Sequence, residues 1–420
     1  MSNNVSLLKK VSANTIYQFV SRFITALASF FVARLIIESD TSLWGEYQTL
    51  ITFVTVFWLL TDFGLNAVLV KEMSAHPEKR KQYFGALLTL RTSLGLILFG
   101  ISFATLFFMP YGESLKLAIV IGLITLITQG IKGATHGLFQ AQLTYKYQLY
   151  SDVWGTLFFV SALWWLLPTI TVVKISILFA VSQIIMMLVS LLNAKRIESI
   201  EPVFDVGVLK PLAIATIPLG ISLLFNLGNF KLDALLLSVM KGTGDVGIYN
   251  AGYKFFEFVL IIPTFFMNVM FPLLVSSYAS SYTLFIKRFK SSFIVLVLGS
   301  IIGSIIGIIM APFLIGLLGG ANAEIIKDSV VILRILLITT PLFFVSSLFM
   351  WAVLVFGGQK HLIKVYATAF SVNLVLNLIV IPIYGYFGAA VTTGISECVI
   401  VILLGLKLFS YVKHHANHEQ

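Results

Sequence analysis

The sequence is short of charge. Asp, Glu, Lys and Arg make up 11% of its residues against 58% hydrophobic, and the mean hydropathy is +0.98. No soluble core hides that much apolar surface, which excludes an ordinary globular domain. Cysteine is almost missing: Cys398 alone rules out an internal disulfide and a Cys-ligated metal. A G-x-x-x-x-G-K-[ST] loop is missing too, so the chain does not hydrolyse ATP by that route. Residues 242–247, GTGDVG, satisfy G-x-G-x-x-G, but no strand precedes them and they fall in an expected turn, so we read no nucleotide fingerprint there. Histidine is scarce as well. His136 is expected to pack within a span, and any metal held by the tail residues His414, His415 and His418 is expected to be adventitious.

What is present is a series of apolar runs, many of 18 residues or more, long enough as helix to cross about 30 Å of hydrocarbon. Barrel strands would alternate apolar and polar residues, and these do not. We therefore read an all-α polytopic membrane protein. Twelve segments stand out, at roughly 13–37, 44–70, 83–108, 117–139, 151–170, 175–193, 210–240, 248–278, 290–312, 328–356, 362–383 and 387–411. No small-residue cleavage pattern follows MSNNVSLLKK, so the first segment is expected to be a retained helix.

The net charge of +10 follows topology rather than a nucleic-acid partner. Loops on one side hold 17 basic residues, from Lys9 and Lys10 through Lys71, Lys79, Arg80 and Lys81 to Lys407 and Lys413; the other side holds Lys116, Lys174, Lys241 and Lys327. The positive-inside rule then places both termini in the cytoplasm and makes the number of spans even.

A weak internal repeat is visible. WGEY (Trp44 to Tyr47) opens the second segment and VGIY (Val246 to Tyr249) opens the eighth, 202 residues later. Two six-helix halves follow, 1–194 and 211–420, joined by a cytoplasmic linker at 195–210. Because each half starts inside and holds six spans, the repeats run parallel. Eight of the eleven prolines lie from Pro202 onward. Pro218, Pro263 and Pro341 fall inside expected spans, where a proline is either a hinge or a static kink. Gly299, Gly303 and Gly307 recur every four residues in the ninth segment, a face expected to let another helix approach.

Seven basic residues remain inside the spans, namely Arg22, Arg34, Arg91, Lys132, Lys231, Lys254 and Arg334, with Asp62, Asp152, Asp233, Glu257 and Glu397 as the acids. A charge at the bilayer centre costs about 2.5–3.5 kcal/mol on insertion scales, so each must be paired, hydrated or snorkelling. Arg34, Lys254 and Arg334 lie nearer the outer surface, with Glu38 one turn from Arg34 and Glu257 three residues from Lys254, and an interfacial ion pair is the plain reading. Arg22, Arg91, Lys132 and Lys231 lie deeper; they either line a polar cavity or pair with Asp62 and Asp233. A cavity with more cations than carboxylates favours an anionic cargo, and phosphate or pyrophosphate suits Arg and Lys, as acidic sugars also do.

Three stretches resemble the bacterial polysaccharide flippases: WGEYQTLITFVTVFWLLTDFGLNAVLVKEM (44–73), GDVGIYNAGYKFFEFVLIIPTFFMNVMFPLL (244–274) and VNLVLNLIVIPIYGYFGAAVTTGISE (372–397). Within that group the chain is similar to the O-antigen flippases, of the superfamily that also holds the multidrug and toxin extrusion transporters and the lipid II flippases. The resemblance implies 12 transmembrane helices in two pseudo-symmetric six-helix bundles, forming a V around a central cationic cavity in the bacterial inner membrane. It implies a cargo, an undecaprenyl-pyrophosphate-linked oligosaccharide, moved from the cytoplasmic to the periplasmic leaflet by alternating access. Cavity arginines and lysines would hold the pyrophosphate and sugars, and Arg22, Arg91, Lys132, Lys231 and Lys254 are the substrate-binding candidates. Asp62, Asp233 and Glu257 are candidates for charge pairing or for coupling to H+ or Na+. No catalytic residue, metal or other cofactor is expected. Tyr253, Asn226 and Asn229 are expected to touch sugar. The expected partners are the lipid-linked oligosaccharide, membrane lipid and polysaccharide assembly proteins, with the chain itself a monomer.

Two rivals remain. A cation-coupled multidrug exporter shares the architecture but is disfavoured by the positive excess. A membrane glycosyltransferase or polysaccharide polymerase would need a sizeable catalytic loop, and the longest one here, 195–210, is too short to house it.

Overall fold

The computed structural model describes residues 2–418, with side chains for 14–413 apart from those of Leu219, Ser222 and Leu227. The side chains of Lys9, Lys10 and the histidine tail lie outside that range. Among the described residues the regular structure is helical: α1 (Ser2–Ser39), α2 (Thr41–Asp62), α3 (Leu65–Ala75), α4 (Arg80–Phe107), α5 (Glu113–Ala141), α6 (Lys146–Leu166), α7 (Val172–Ala194), α8 (Val206–Asn229), α9 (Leu232–Met240), α10 (Thr243–Ser280), α11 (Tyr282–Gly319), α12 (Asp328–Val355) and α13 (Gln359–His418). Nine helical stretches among them are long and apolar enough to cross a membrane. Large apolar side chains stand exposed along these helices, for example Ile302, Ile305, Ile309 and Phe313 on α11. Water does not tolerate so extended an apolar surface, whereas hydrocarbon solvates it at no cost. The protein is an all-α, multi-pass membrane protein.

Two of the apolar segments are broken and two are joined at a corner, and none of these irregularities falls at a proline. The second segment is split into α2 and α3 by Phe63 (φ 35°) and Gly64 (φ 77°), both left-handed. The seventh is split into α8 and α9 at Phe230 and Lys231. The last two are the legs of α13, which meet at Gly385 (φ 54°, ψ −135°), a conformation that glycine adopts without a Cβ clash. Around that corner Lys241 Nζ donates to the Pro382 carbonyl at 2.8 Å and the Tyr386 hydroxyl to Asp328 at 2.6 Å. By contrast, α8 continues through Pro218, α10 through Pro263 and α12 through Pro341.

The chain forms two compact units, Met1–Leu224 and Phe225–Gln420. The division falls inside α8, beyond the linker at 195–210. In the first unit α5 is the hub, packing against α2, α3, α4 and α7. In the second unit α12 is the hub, packing against α10, α11 and α13. The two hubs are the fourth apolar segment of each half. The repeat seen in the sequence also has a packing counterpart: α2 begins at Thr41 and α10 at Thr243, again 202 residues apart. In both, the second turn is buried, through Trp44, Gly45 and Tyr47 in one and Val246, Gly247 and Tyr249 in the other.

The linker folds back on the start of α4. Glu201 pairs with Lys81 at 2.8 Å, which holds its carboxyl below the usual range, and Val203 N donates to Gly85 O at 3.4 Å. A Cβ at Gly85 would collide with the Glu201 carbonyl, so the close approach requires glycine.

The glycine row of α11 does not do what its spacing suggests. A Cβ at Gly299 or Gly303 would meet open space, and only Gly307 lies against a neighbour, Leu337. The buried row is offset by one residue, at Ser292, Leu296, Ser300, Ser304, Ala311 and Ile315. Serines, rather than glycines, supply the small-residue face here.

Candidate functional site

In the first unit the break at Phe63 and Gly64 turns two acceptors toward α4. Arg91, 3% exposed, donates from Nη1 to Asp62 Oδ1 and to Asn66 Oδ1, each at 2.7 Å. The side chain rests on α5 where a Cβ at Gly133 would strike its guanidinium, and Gly130 lets the two backbones approach. Two glycines of α5 thus cut the notch that Arg91 occupies. The expected competitor to cavity lining, pairing with Asp62, is the arrangement found for Arg91.

Lys132 follows a different pattern. It is 9% exposed, and its Nζ contacts Gln183 Oε1 at 3.3 Å and Met186 Sδ at 3.4 Å. Gln129 donates to the same Gln183 oxygen at 2.6 Å. No carboxylate lies within 4 Å of the ammonium among the described residues. A buried cation whose direct contacts are all neutral acceptors is costly, because hydration is lost and the Asp152 carboxylate acts on it only from beyond ion-pair distance. One turn on, buried His136 Nε2 has no hydrogen-bond partner among the described residues. Arg22 is exposed on α1, and its neighbour Ser21 donates to Asp152 at 2.8 Å. The first unit therefore brings Arg91, Lys132 and His136 together along one turn of α5, with Asp62 joined through Arg91.

In the second unit the break between α8 and α9 places Lys231 3.1 Å from Glu257, with its ammonium 6.0 Å from the Tyr253 ring. Glu257 is thus taken by Lys231. Lys254, expected to pair with it along the helix, is half-buried and makes no ion pair among the described residues. The local i,i+3 spacing loses because the helix break brings Lys231 closer.

Asp233 is 1% exposed and sits at the centre of a neutral network. It accepts from Asn377 Nδ2 at 2.6 Å and Tyr249 Oη at 3.1 Å, and also from Thr393 Oγ1. Asn377 also donates to Asn373 Oδ1 at 3.0 Å, Asn373 donates to Ser396 at 3.0 Å, and Asn377 Oδ1 is left without a partner. Asp233 pairs with no cation among the described residues, which removes it as a counter-ion for Lys231. The partners Asn66, Gln183, Asn373, Asn377 and Thr393 carry no charge, so a survey of charged residues passes over them; the available signal was polar side chains four apart, Asn373 and Asn377, in an apolar run. Arg34 and Glu38 form the expected i,i+4 pair at 2.9 Å, and exposed Arg334 bonds the Ile308 carbonyl at 3.3 Å.

The family model for polysaccharide biosynthesis proteins matches residues 7–278, more than half of the chain. The chain belongs to that family. No curated protein sequence matches this polysaccharide biosynthesis protein. Solved structures share its fold at low identity. The lipid II flippase MurJ in an inward closed conformation gives a TM-score of 0.78 at 13% identity, covering 94% of this chain and 87% of that one. An inward-facing multidrug resistance MATE family transporter of the MOP superfamily gives 0.71 at 12% identity, covering 94% and 96%. A MOP superfamily transporter from Pyrococcus furiosus gives 0.64 at 11% identity, covering 96% of each chain. The polysaccharide biosynthesis protein accordingly shares the fold of these multi-pass membrane proteins.

Proposed function

We propose that this protein is a flippase that carries an undecaprenyl-pyrophosphate-linked oligosaccharide, such as an O-antigen repeat unit, from the cytoplasmic to the periplasmic leaflet of the bacterial inner membrane. Twelve spans in two six-helix bundles, arranged as a V with both termini cytoplasmic, would alternate access to a cationic cavity. The observation that carries the reading is Lys132, an ammonium buried against Gln183 and Met186 with no carboxylate within ion-pair distance among the described residues. An anionic headgroup would supply a counter-charge in direct contact, where Asp152 acts only from a distance. Arg22 and Lys254 likewise make no ion pair among the described residues and are further candidates to hold the headgroup, while the pairs made by Arg91 and Lys231 limit those two to a supporting role. Pro218, Pro263 and Pro341 are the candidate flexing points during the exchange.

Asp233 is the best seat for a coupling cation, H+ or Na+. Its carboxylate is held by neutral donors, the Asn377 amide and the Thr393 and Tyr249 hydroxyls, and the unpartnered Asn377 oxygen is an acceptor beside it.

The test is reconstitution in liposomes with a fluorescent undecaprenyl pyrophosphate carrying an oligosaccharide, read by accessibility of the label to a membrane-impermeant reductant. Movement of that lipid supports the reading. Export of cationic dyes with no lipid movement would favour the multidrug exporter.

A further inference from the structure

The two legs of α13 start and end at the same edge of the second unit, beside the end of α12, where Leu362, Val365, Leu404 and Leu408 pack into one buried cluster with Ala352 and Val353. The turn from α12 into α13 is tight. Gly357 takes φ 71°, and a Cβ on Gly358 would strike the Tyr411 hydroxyl, so glycine is what lets this turn lie on the end of the second leg. Three neighbours share the Tyr411 ring: Phe356 stacks on it with centroids 5.1 Å apart, His361 meets it edge-on at 6.3 Å, and Lys407 sets its ammonium 4.7 Å from the centroid. Lys364, exposed, and Lys407, half-buried, both act electrostatically on the His361 ring, and exposed Lys360 stands one turn before Lys364. Among the described residues the ion pairs of the second unit join Lys231 to Glu257 and Lys327 to Glu324, so this corner gathers Lys360, Lys364, Lys407 and His361 with no carboxylate paired to them. Like charges one turn apart on a helix repel, and Lys407 on the other leg adds to the field.

We propose that this corner is a seat for the headgroup of an anionic phospholipid, in the leaflet that the ends of α13 meet, which is the cytoplasmic one by the positive-inside rule. The phosphate diester is received by the Lys364 and Lys407 ammonium groups and supplies the counter-charge that the corner lacks. Tyr411 is the positioning residue. It holds the Lys407 ammonium over its ring and so fixes that cation at the corner instead of leaving it to swing free. Ile402, Leu406 and Phe409 stand exposed along one face of the same leg and offer the acyl chains an apolar path beside the headgroup. A zwitterionic headgroup fits less well, because its own cation would enter a corner that is already positive. Every spanning helix touches lipid; what sets this corner apart is that cations from both legs meet without a carboxylate and an aromatic ring fixes one of them. The seat does not depend on what the protein transports.

The experiment uses the full chain, delipidated in detergent, with native mass spectrometry as the readout and phosphatidylglycerol, phosphatidylcholine and glycerol phosphate as probes. Phosphatidylglycerol should bind more tightly than phosphatidylcholine, and glycerol phosphate, an anion without acyl chains, should not displace it. Lys364→Gln and Lys407→Gln should each weaken phosphatidylglycerol by about fivefold. Lys407→Arg should keep it, and Tyr411→Leu, which changes no charge, should weaken it as well. Lys71→Gln, at an exposed lysine of the first unit with the same expected sidedness, should leave it unchanged. An equal loss in Lys71→Gln would make the attraction a property of surface charge in general and overturns the proposal. Equal binding of the two phospholipids overturns it too, as does displacement by glycerol phosphate, which would make the ligand a soluble phosphate. Unchanged binding in a folded Tyr411→Leu protein removes the built seat, and the exposed Lys364→Gln variant decides the matter even where Tyr411→Leu fails to fold.

Discussion

Arg91 and Asp62 are joined at 2.7 Å across the point where the second apolar segment breaks, and Asn66, on the far side of that break, shares the same guanidinium nitrogen. The pair fastens α4 to the α2 and α3 corner. It makes Arg91 a structural cation first.

Arg91→Ala should therefore lower stability by about 3 kcal/mol, toward the low end for a buried pair because the Asp62 side chain keeps 34% of its surface exposed. The reading is a lower melting temperature in detergent and a reduced protein level in the membrane. The double variant Arg91→Met with Asp62→Leu should recover most of that loss, since no unpaired charge is left behind. Equal stability of the single and double variants would contradict the pairing.

Gly133 provides a second handle on the same contact. Leucine there would occupy the space of the guanidinium, so Gly133→Leu should reproduce the Arg91→Ala phenotype, and its effect should largely vanish in an Arg91→Ala background. Thermal melts of the four proteins in that cycle decide it.

Asp233→Asn should cost about 1–3 kcal/mol, because the new amide hydrogens would face the donors on Asn377, Tyr249 or Thr393. Transport by this variant should no longer respond to an imposed proton or sodium gradient. Retained gradient dependence in a reconstituted system would remove Asp233 as the coupling group.

Orientation can be checked with little engineering, because Cys398 is the only cysteine. In a Cys398→Ala background, Glu78→Cys should react with an impermeant maleimide only after the inner membrane is opened, and Glu324→Cys should react in spheroplasts. The opposite pattern would invert the topology.

How far the sequence carried the account depends on the kind of residue. Apolar runs of span length leave no choice but helix in hydrocarbon, so the expected segments fall on helix, and nine helical stretches among the described residues are long and apolar enough to cross. The DFGL phrase, Asp62 to Leu65, was visible as a family likeness, but its physical content, two left-handed residues that swing Asp62 and Asn66 toward Arg91, depends on backbone angles that no charge count supplies. Spacing along one helix sets Glu257 beside Lys254 and leaves Lys231 between a cavity and pairing with Asp233; a break at Phe230 and Lys231 pairs Lys231 with Glu257 across helices instead. Lys132 was singled out by depth alone, and only the structure separates it from Arg91, by giving one a carboxylate and the other an amide.

Lys132→Met should raise the melting temperature, because it replaces a poorly compensated buried charge by an apolar chain of similar length; a gain of about 1–3 kcal/mol is expected. A function-bearing residue retained at the expense of stability would behave in this way.

The most direct measurement of the central claim is the initial rate of lipid flipping in liposomes for wild type, Lys132→Arg and Lys132→Met, at equal amounts of folded protein. The account predicts that Lys132→Arg keeps a substantial rate and that Lys132→Met loses about tenfold or more, the cost of at least one charge-assisted contact to the headgroup. A Lys132→Met protein that moves the pyrophosphate-linked lipid at the wild-type rate would contradict it.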